Sequence, residues 1–316
     1  MSPLLKFSPT YLPEKTAESF SKSRIQPFKL KDLVLPDYPP YLVSTTGITV
    51  EPTTLMINYV LIGDRNKPVI LFLHGFMGSC EDFGEVINLL NKDFCCLSID
   101  LPGHGKTEVK SDLDYYMPKL AVAIIQLLEQ LSIPQCFLVG YSMGGRLALY
   151  LAIYFPQYFP KVILESASPG LKTKAERKKR IKQDLKLANK LETENFAFFL
   201  QQWYQNPLFT FFIKHPNYPQ AIARRLNNNP HKLAKSLRYM GLGAQPCLWE
   251  QLEFIRVPIL LIVGELDPKF VAINQKINSL SPLLEIEIVK LTGHNVHFEQ
   301  PIKFSQLLID FLTSNR

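Results

Sequence analysis

Residues 136–152 constrain this chain more than any other stretch. An apolar run, Cys136-Phe137-Leu138-Val139, is followed by Gly140-Tyr141-Ser142-Met143-Gly144-Gly145-Arg146 and then by Leu147-Ala148-Leu149-Tyr150-Leu151-Ala152. The first run reads as a buried strand and the last as a helix. Between them, G-x-S-x-G marks a sharp strand-to-helix turn that pushes a serine hydroxyl out of the sheet. The glycines fit because a side chain at either flank would clash in so tight a turn. The helix that starts behind the serine adds free N–H groups and the positive end of its dipole.

The surrounding pattern supports that turn. Val69-Ile70-Leu71-Phe72-Leu73, Phe94-Cys95-Cys96-Leu97-Ser98-Ile99, Val162-Ile163-Leu164, Ile259-Leu260-Leu261-Ile262-Val263 and Glu285-Ile286-Glu287-Ile288-Val289 read as further strands. Several are continuously apolar, the signature of strands buried on both faces. Helical segments are expected over Phe83 to Leu90, Tyr116 to Leu131 and Ile302 to Leu312. Strands alternating with helices imply right-handed crossovers and a mostly parallel sheet. The expected fold is therefore α/β, with a mostly parallel central sheet flanked by helices. The alternation breaks between Pro169 and about Leu252, where the pattern is helical and Phe196 to Phe212 is strongly aromatic. That stretch is expected as a helical cap over the carboxyl end of the sheet, where ligands bind in open α/β folds. The expected organisation is an amino-terminal arm over 1–46, a first core part over 47–169, the cap over 170–252 and a second core part over 253–316. Thr49 to Ile62 reads as a strand or hairpin.

Composition narrows the class. The chain has 316 residues, 47% of them hydrophobic, enough for one large domain with an insertion. No apolar stretch reaches the ~18 residues that cross a bilayer, so no stable membrane insertion is expected. No secretory signal is evident in residues 1–11. The five cysteines are odd in number and lack metal-ligand spacing, which suits buried free thiols in a reducing cytoplasm. The net charge of +7 is concentrated: residues 172–190 hold nine basic side chains against Glu176 and Asp184. Such a run is ordinarily a solvated helix face, part of which can meet an anionic small molecule. Aromatics do not interleave with it, so no nucleic-acid site is expected.

A serine nucleophile or base needs a histidine to take its proton, an acid to orient the histidine, and donors for a developing oxyanion. The chain order serine, acid, histidine is met here. Asp267, in Gly264-Glu265-Leu266-Asp267-Pro268, is the acid candidate, with Glu165 and Glu265 as rivals. His294, in Thr292-Gly293-His294-Asn295-Val296-His297, is the base candidate, with His297 as rival. His104 reads as structural. The oxyanion donors are expected to be the N–H groups of Met143 and of Phe76, the latter in His74-Gly75-Phe76-Met77-Gly78.

Residues 50 to 316 resemble the α/β-hydrolase superfamily. Within it the chain is similar to the MenH family, the 2-succinyl-6-hydroxy-2,4-cyclohexadiene-1-carboxylate synthases of menaquinone and phylloquinone biosynthesis. The narrower likeness rests on Arg146 after the elbow, Trp203-Tyr204-Gln205-Asn206-Pro207 and Arg225-Leu226-Asn227-Asn228-Asn229, together with Asp100-Leu101-Pro102-Gly103-His104-Gly105. The resemblance implies a lyase that eliminates pyruvate from 2-succinyl-5-enolpyruvyl-6-hydroxy-3-cyclohexene-1-carboxylate, a tricarboxylate, with no cofactor and no metal. It assigns substrate contacts to Tyr141, Arg146, Arg180, Trp203 and Arg225, with Arg177 or Lys179 able to replace Arg180. Arginine suits planar bidentate binding of carboxylates. Arg146 stands four residues beyond Ser142, on the same helix face. A carboxylesterase or carbon–carbon bond hydrolase with the same triad is the alternative, and a non-catalytic scaffold of the same fold is a further one. Residues 1–46 have no counterpart in the family, and oligomeric state is not legible.

Overall fold

A computed structural model describes residues 55–314 of the chain. The arm expected over 1–46, and the start of the strand expected from Thr49, lie outside the described residues. Seven strands form one sheet in the order β1-β3-β2-β4-β5-β6-β7. They are β1 (Tyr59–Ile62), β2 (Val69–Leu73), β3 (Cys95–Ile99), β4 (Phe137–Tyr141), β5 (Val162–Glu165), β6 (Ile259–Gly264) and β7 (Leu284–Val289). Only β1, which pairs with β3, runs antiparallel.

Ten α-helices accompany them among the described residues: α1 (Gly84–Leu90), α2 (Met117–Gln130), α3 (Met143–Tyr154), α4 (Lys174–Thr193), α5 (Phe196–Tyr204), α6 (Tyr218–Leu226), α7 (Pro230–Met240), α8 (Pro268–Asn278), α9 (Val296–Glu299) and α10 (Pro301–Thr313). Strand β2 shows how the layers form. Ile70 and Phe72 face the cluster shared with α1 and α10, while Leu71 and Leu73 face the cluster shared with α2 and α3. All four side chains are fully buried, each contributing roughly 1.5–3 kcal/mol.

Helices α4 to α7 all fall between β5 and β6. They have their own aromatic and aliphatic cluster, in which Phe199, Leu200, Tyr204, Phe212, Leu233 and Leu237 are buried with Met77 of the core. The aromatic stretch 196–212 is not one helix. It breaks after Tyr204 into short 3-10 turns, the first begun by Asn206, whose side chain accepts the Leu208 N–H ahead of Pro207. Helix α8 was not expected from the sequence. Asp267 is its N-cap, accepting the Phe270 N–H at 3.3 Å, and Pro268 opens its first turn.

Candidate active site

The serine turn forms as its glycines require. Ser142 has φ 51° and ψ −103°, a left-handed conformation that a non-glycine residue adopts only under strain. A Cβ on Gly144 would drive into the Leu73 carbonyl, and one on Gly140 would lie 2.5 Å from the Gly144 oxygen. The missing side chains let β4, α3 and β2 approach closely enough to lift Ser142 to the sheet's carboxyl edge.

Two other strand ends meet it there. Asp267 follows β6 and His294 follows β7. The His294 Nδ1–H donates to Asp267 Oδ2 at 2.6 Å, and Ser142 Oγ donates to His294 Nε2 at 3.2 Å. This tautomer leaves Nε2 with the lone pair that accepts the serine proton. Asp267 and His294 are buried, and the Phe270 ring lies 4.6 Å from the imidazole. The two rivals are paired with each other instead. The His297 Nδ1–H donates to Glu165 Oε2 at 2.6 Å, its backbone N–H donates to Glu165 Oε1 at 3.0 Å, and its ring stacks on Phe83 at 4.2 Å. Glu265 accepts the Leu291 N–H at its exposed position.

Neither the Phe76 nor the Met143 N–H donates to another group among the described residues. Both residues line the cavity with Ser142. The loop carrying Phe76 is fixed by His74, whose Nδ1–H donates to the Gly75 carbonyl at 2.7 Å while its Nε2 accepts the Leu101 N–H at 2.9 Å. His104 lies tilted against that ring at 5.0 Å and edge-on to Phe76 at 5.5 Å.

The serine opens into a cavity of about 860 Å³ roofed by the inserted helices. Tyr141 and Trp203 line it, and Trp203 packs 5.4 Å from Phe76. Arg146 and Arg180 face the same space. Arg180 donates through Nε to Asp184 Oδ1 at 2.7 Å, leaving its terminal nitrogens open. Arg177 turns aside to the Gly243 carbonyl at 3.4 Å. No carboxylate pairs with Arg146 among the described residues. Burial, and then the like charge of Arg180, push its guanidinium down to about 9. Asp184, which pairs with Arg180, offsets this in part, and Arg146 stays protonated at neutral pH.

Arg225 differs from its expected part. It lines the cavity, but its guanidinium is not free. Nη1 and Nη2 donate to the two oxygens of Asp82, the second at 2.8 Å, and Nε donates to the Tyr204 hydroxyl at 3.2 Å. Arg225 and Asp82 are 5% and 9% exposed, so this is a buried bidentate ion pair between the inserted helices and the loop before α1. Asn228 fastens the same junction, donating to the Met77 carbonyl at 2.9 Å and accepting the Gly105 N–H at 2.9 Å. The Arg-x-Asn-Asn-Asn segment thus holds the inserted helices to the loops that carry Met77, Asp82 and Gly105.

Sequence reasoning missed Asp82, Ser166 and Glu299. Asp82 is 143 residues from its partner, so no local pattern marks it. Ser166 lines the cavity at φ 47°, with a buried Oγ that has no partner among the described residues. The buried Asn295 Oδ1 is in the same position.

Comparison with known proteins agrees with this geometry. The family model for the alpha/beta hydrolase fold matches residues 68–301. A Bacillus subtilis (strain 168) protein named "Putative 2-succinyl-6-hydroxy-2,4-cyclohexadiene-1-carboxylate synthase" is 40% identical over 255 residues, covering 80% of this chain and 93% of that protein. The 2-succinyl-6-hydroxy-2,4-cyclohexadiene-1-carboxylate synthase of Serratia proteamaculans (strain 568) is 32% identical over 253 residues, covering 80% of this chain and 96% of its own length. The structure of MenH from S. aureus aligns with a TM-score of 0.77 at 34% identity, over 80% of this chain and 97% of that one. The chain belongs to the α/β hydrolase fold family and, within it, to the 2-succinyl-6-hydroxy-2,4-cyclohexadiene-1-carboxylate synthases.

Proposed function

We propose that this enzyme is a carbon–oxygen lyase that eliminates pyruvate from 2-succinyl-5-enolpyruvyl-6-hydroxy-3-cyclohexene-1-carboxylate, in menaquinone or phylloquinone biosynthesis. The observation that carries the reading is Arg146. It is a cation without a carboxylate partner, one helical turn from Ser142, facing Arg180 across a cavity sized for a small molecule. A neutral acyl chain has no use for two such guanidiniums, whereas a tricarboxylate supplies the missing anions.

In this reading His294, oriented by Asp267, draws the proton from Ser142, and the serine oxygen removes the ring proton beside the succinyl carbonyl. The electron pair shifts onto that carbonyl oxygen, which the N–H groups of Phe76 and Met143 receive. Its return forms a double bond from the deprotonated carbon to the adjacent ring carbon, the existing ring double bond shifts one position along, and the bond to the enolpyruvyl oxygen breaks. The leaving group takes a proton and becomes pyruvate, so the triad ends as it began and no acyl-enzyme forms. Arg146 and Arg180 hold carboxylates, Tyr141 and Trp203 wall the ring, and Arg225 acts through Asp82 to keep the roof in place. No cofactor or metal takes part. The cap is taken as residues 170–252 between the two core parts.

No helix among the described residues is long and apolar enough to cross a membrane. Cys80, Cys95, Cys96 and Cys136 are buried free thiols, which suits a reducing cytoplasm.

The test is pyruvate release from freshly made enolpyruvyl substrate against a no-enzyme control. Release well above the control that disappears in Ser142→Ala is the expected result. No acceleration, alongside turnover of simple esters, would move the enzyme to the hydrolase branch.

A further inference from the structure

Glu299, in α9, is bonded to the loop that carries His294. Its Oε2 accepts the Gly293 N–H at 2.6 Å and its Oε1 accepts the Asn295 N–H at 3.4 Å. These are the residues on either side of His294, so one carboxylate spans the peptide groups from which the imidazole projects. The Glu299 N–H closes the arrangement by donating to the Asn295 carbonyl at 2.9 Å. Among the described residues the His294 ring packs against Tyr141, Phe209 and Phe270 and hydrogen-bonds only to Asp267 and Ser142, the Ser142 contact, at 3.2 Å, being already at the long end of its range. A small tilt of the loop is enough to break it.

We propose that Glu299 is a positioning residue for the reaction, clamping the backbone on both sides of His294 and so setting the imidazole over Ser142. The inference rests on the reading of His294 as the base.

The surroundings of Glu299 argue that the carboxylate is not there for stability. Burial pushes it up to about 7, the Gly293 and Asn295 N–H groups partly offset this, and the neighbouring Glu165 raises it further against His297. The Tyr141 hydroxyl is a further titratable neighbour, and its own ionisation is pushed up by burial, with Glu165 and Glu299 adding to the effect. An acid whose folded value lies above its unfolded one weakens the fold when it ionises. The loss develops as pH rises from the unfolded value of 4.5 through about 7. Removing the charge therefore relieves the fold while loosening the loop. A carboxylate kept only for structure predicts the opposite sign for stability.

The experiment compares Glu299→Gln with His294→Ala in the full chain, by initial rates of pyruvate release and by unfolding midpoint at pH 8. Gln retains one acceptor oxygen but presents N–H groups where the second carboxylate oxygen stood. The expected result is an inactive His294→Ala, together with a Glu299→Gln whose kcat falls about tenfold or more, in the range seen for small misplacements of reacting groups. KM should be nearly unchanged, the midpoint should be equal or higher, and the acid limb of the pH profile should be shallower. Wild-type kcat and profile in Glu299→Gln, beside an inactive His294→Ala, would overturn the clamp alone. Activity in His294→Ala would remove the base assignment and the clamp with it. A titration of the Gly293 amide resonance in the unaltered protein gives a check that does not depend on a variant folding. A shift centred near the Glu299 value supports the clamp, and a flat curve contradicts it.

Discussion

At the scale of single residues, the site combines a strained serine, a fixed imidazole tautomer and an unpaired guanidinium. The last has a consequence that separates binding from stability. Arg146 makes no ion pair among the described residues and stands half-buried beside the like charge of Arg180. Its loss should therefore cost the fold little. A lost charge-assisted contact to a substrate carboxylate is worth about 1.5–3 kcal/mol, or on the order of 10- to 150-fold in kcat/KM. Arg146→Ala is expected to show that loss in kcat/KM with a nearly unchanged urea midpoint; an unchanged kcat/KM would place the carboxylate elsewhere. Asp267 offers a contrasting case. Asn in its place can donate to Nδ1, which leaves the proton on Nε2 and removes the acceptor that Ser142 needs. Asp267→Asn is expected to lower kcat by several orders of magnitude, roughly 10⁴ by analogy with other serine triads, with KM much less affected. If Glu165→Gln is the more damaging change in side-by-side rates, the acid has been assigned to the wrong strand.

At the scale of elements, much of the architecture was legible because buried parallel strands carry unbroken apolar runs. Strands β2, β3, β4 and β6 lie within a residue or two of where those runs place them. The serine turn was legible because its glycines answer a steric demand that can be read locally. Other features depend on partners far along the chain. Glu165 and His297 have the same strand-end placement as Asp267 and His294, and only the packing of β5 against α9 shows that they pair with each other. Helix α8 was missed because Asp267-Pro268 reads equally as a turn or as a cap and first helical residue. The pairing of Arg225 was not legible because the carboxylate that occupies it, Asp82, lies 143 residues away in the chain.

That last pair makes its own prediction. A buried ion pair broken at one partner leaves an uncompensated charge, at a cost of about 3–5 kcal/mol, whereas apolar replacement of both partners can be nearly neutral. Asp82→Leu and Arg225→Met are each expected to be strongly destabilised in urea unfolding, and the double variant substantially less so. Additive losses would show that the two side chains do not depend on each other.

At the scale of the whole molecule, the site's supports make stability depend on pH. His74 and His104 are buried side by side behind Phe76, and both are held below their ordinary value. Burial is the main cause for each. Asp82 and Asp100 partly offset it at His74, while His74 itself adds to the lowering at His104. For a histidine depressed in the fold, the unfolded chain takes up the proton first. The stability each contributes is present above the unfolded value of 6.5 and is lost as pH falls below it. Glu299, raised to about 7 from 4.5, works in the opposite sense over the same window. The two histidines pull stability down toward acid below pH 6.5, and Glu299 opposes them. His104 is the member to remove, since its Nε2 has no partner among the described residues and its ring sits against two other rings. In His104→Phe one of the two depressed histidines is gone, so the acid loss should be smaller. Unfolding free energies measured at intervals from pH 7 to pH 5 should fall less steeply for His104→Phe than for the unaltered protein. An equally steep decline in the variant would mean that groups other than the histidine pair behind Phe76 govern the acid response.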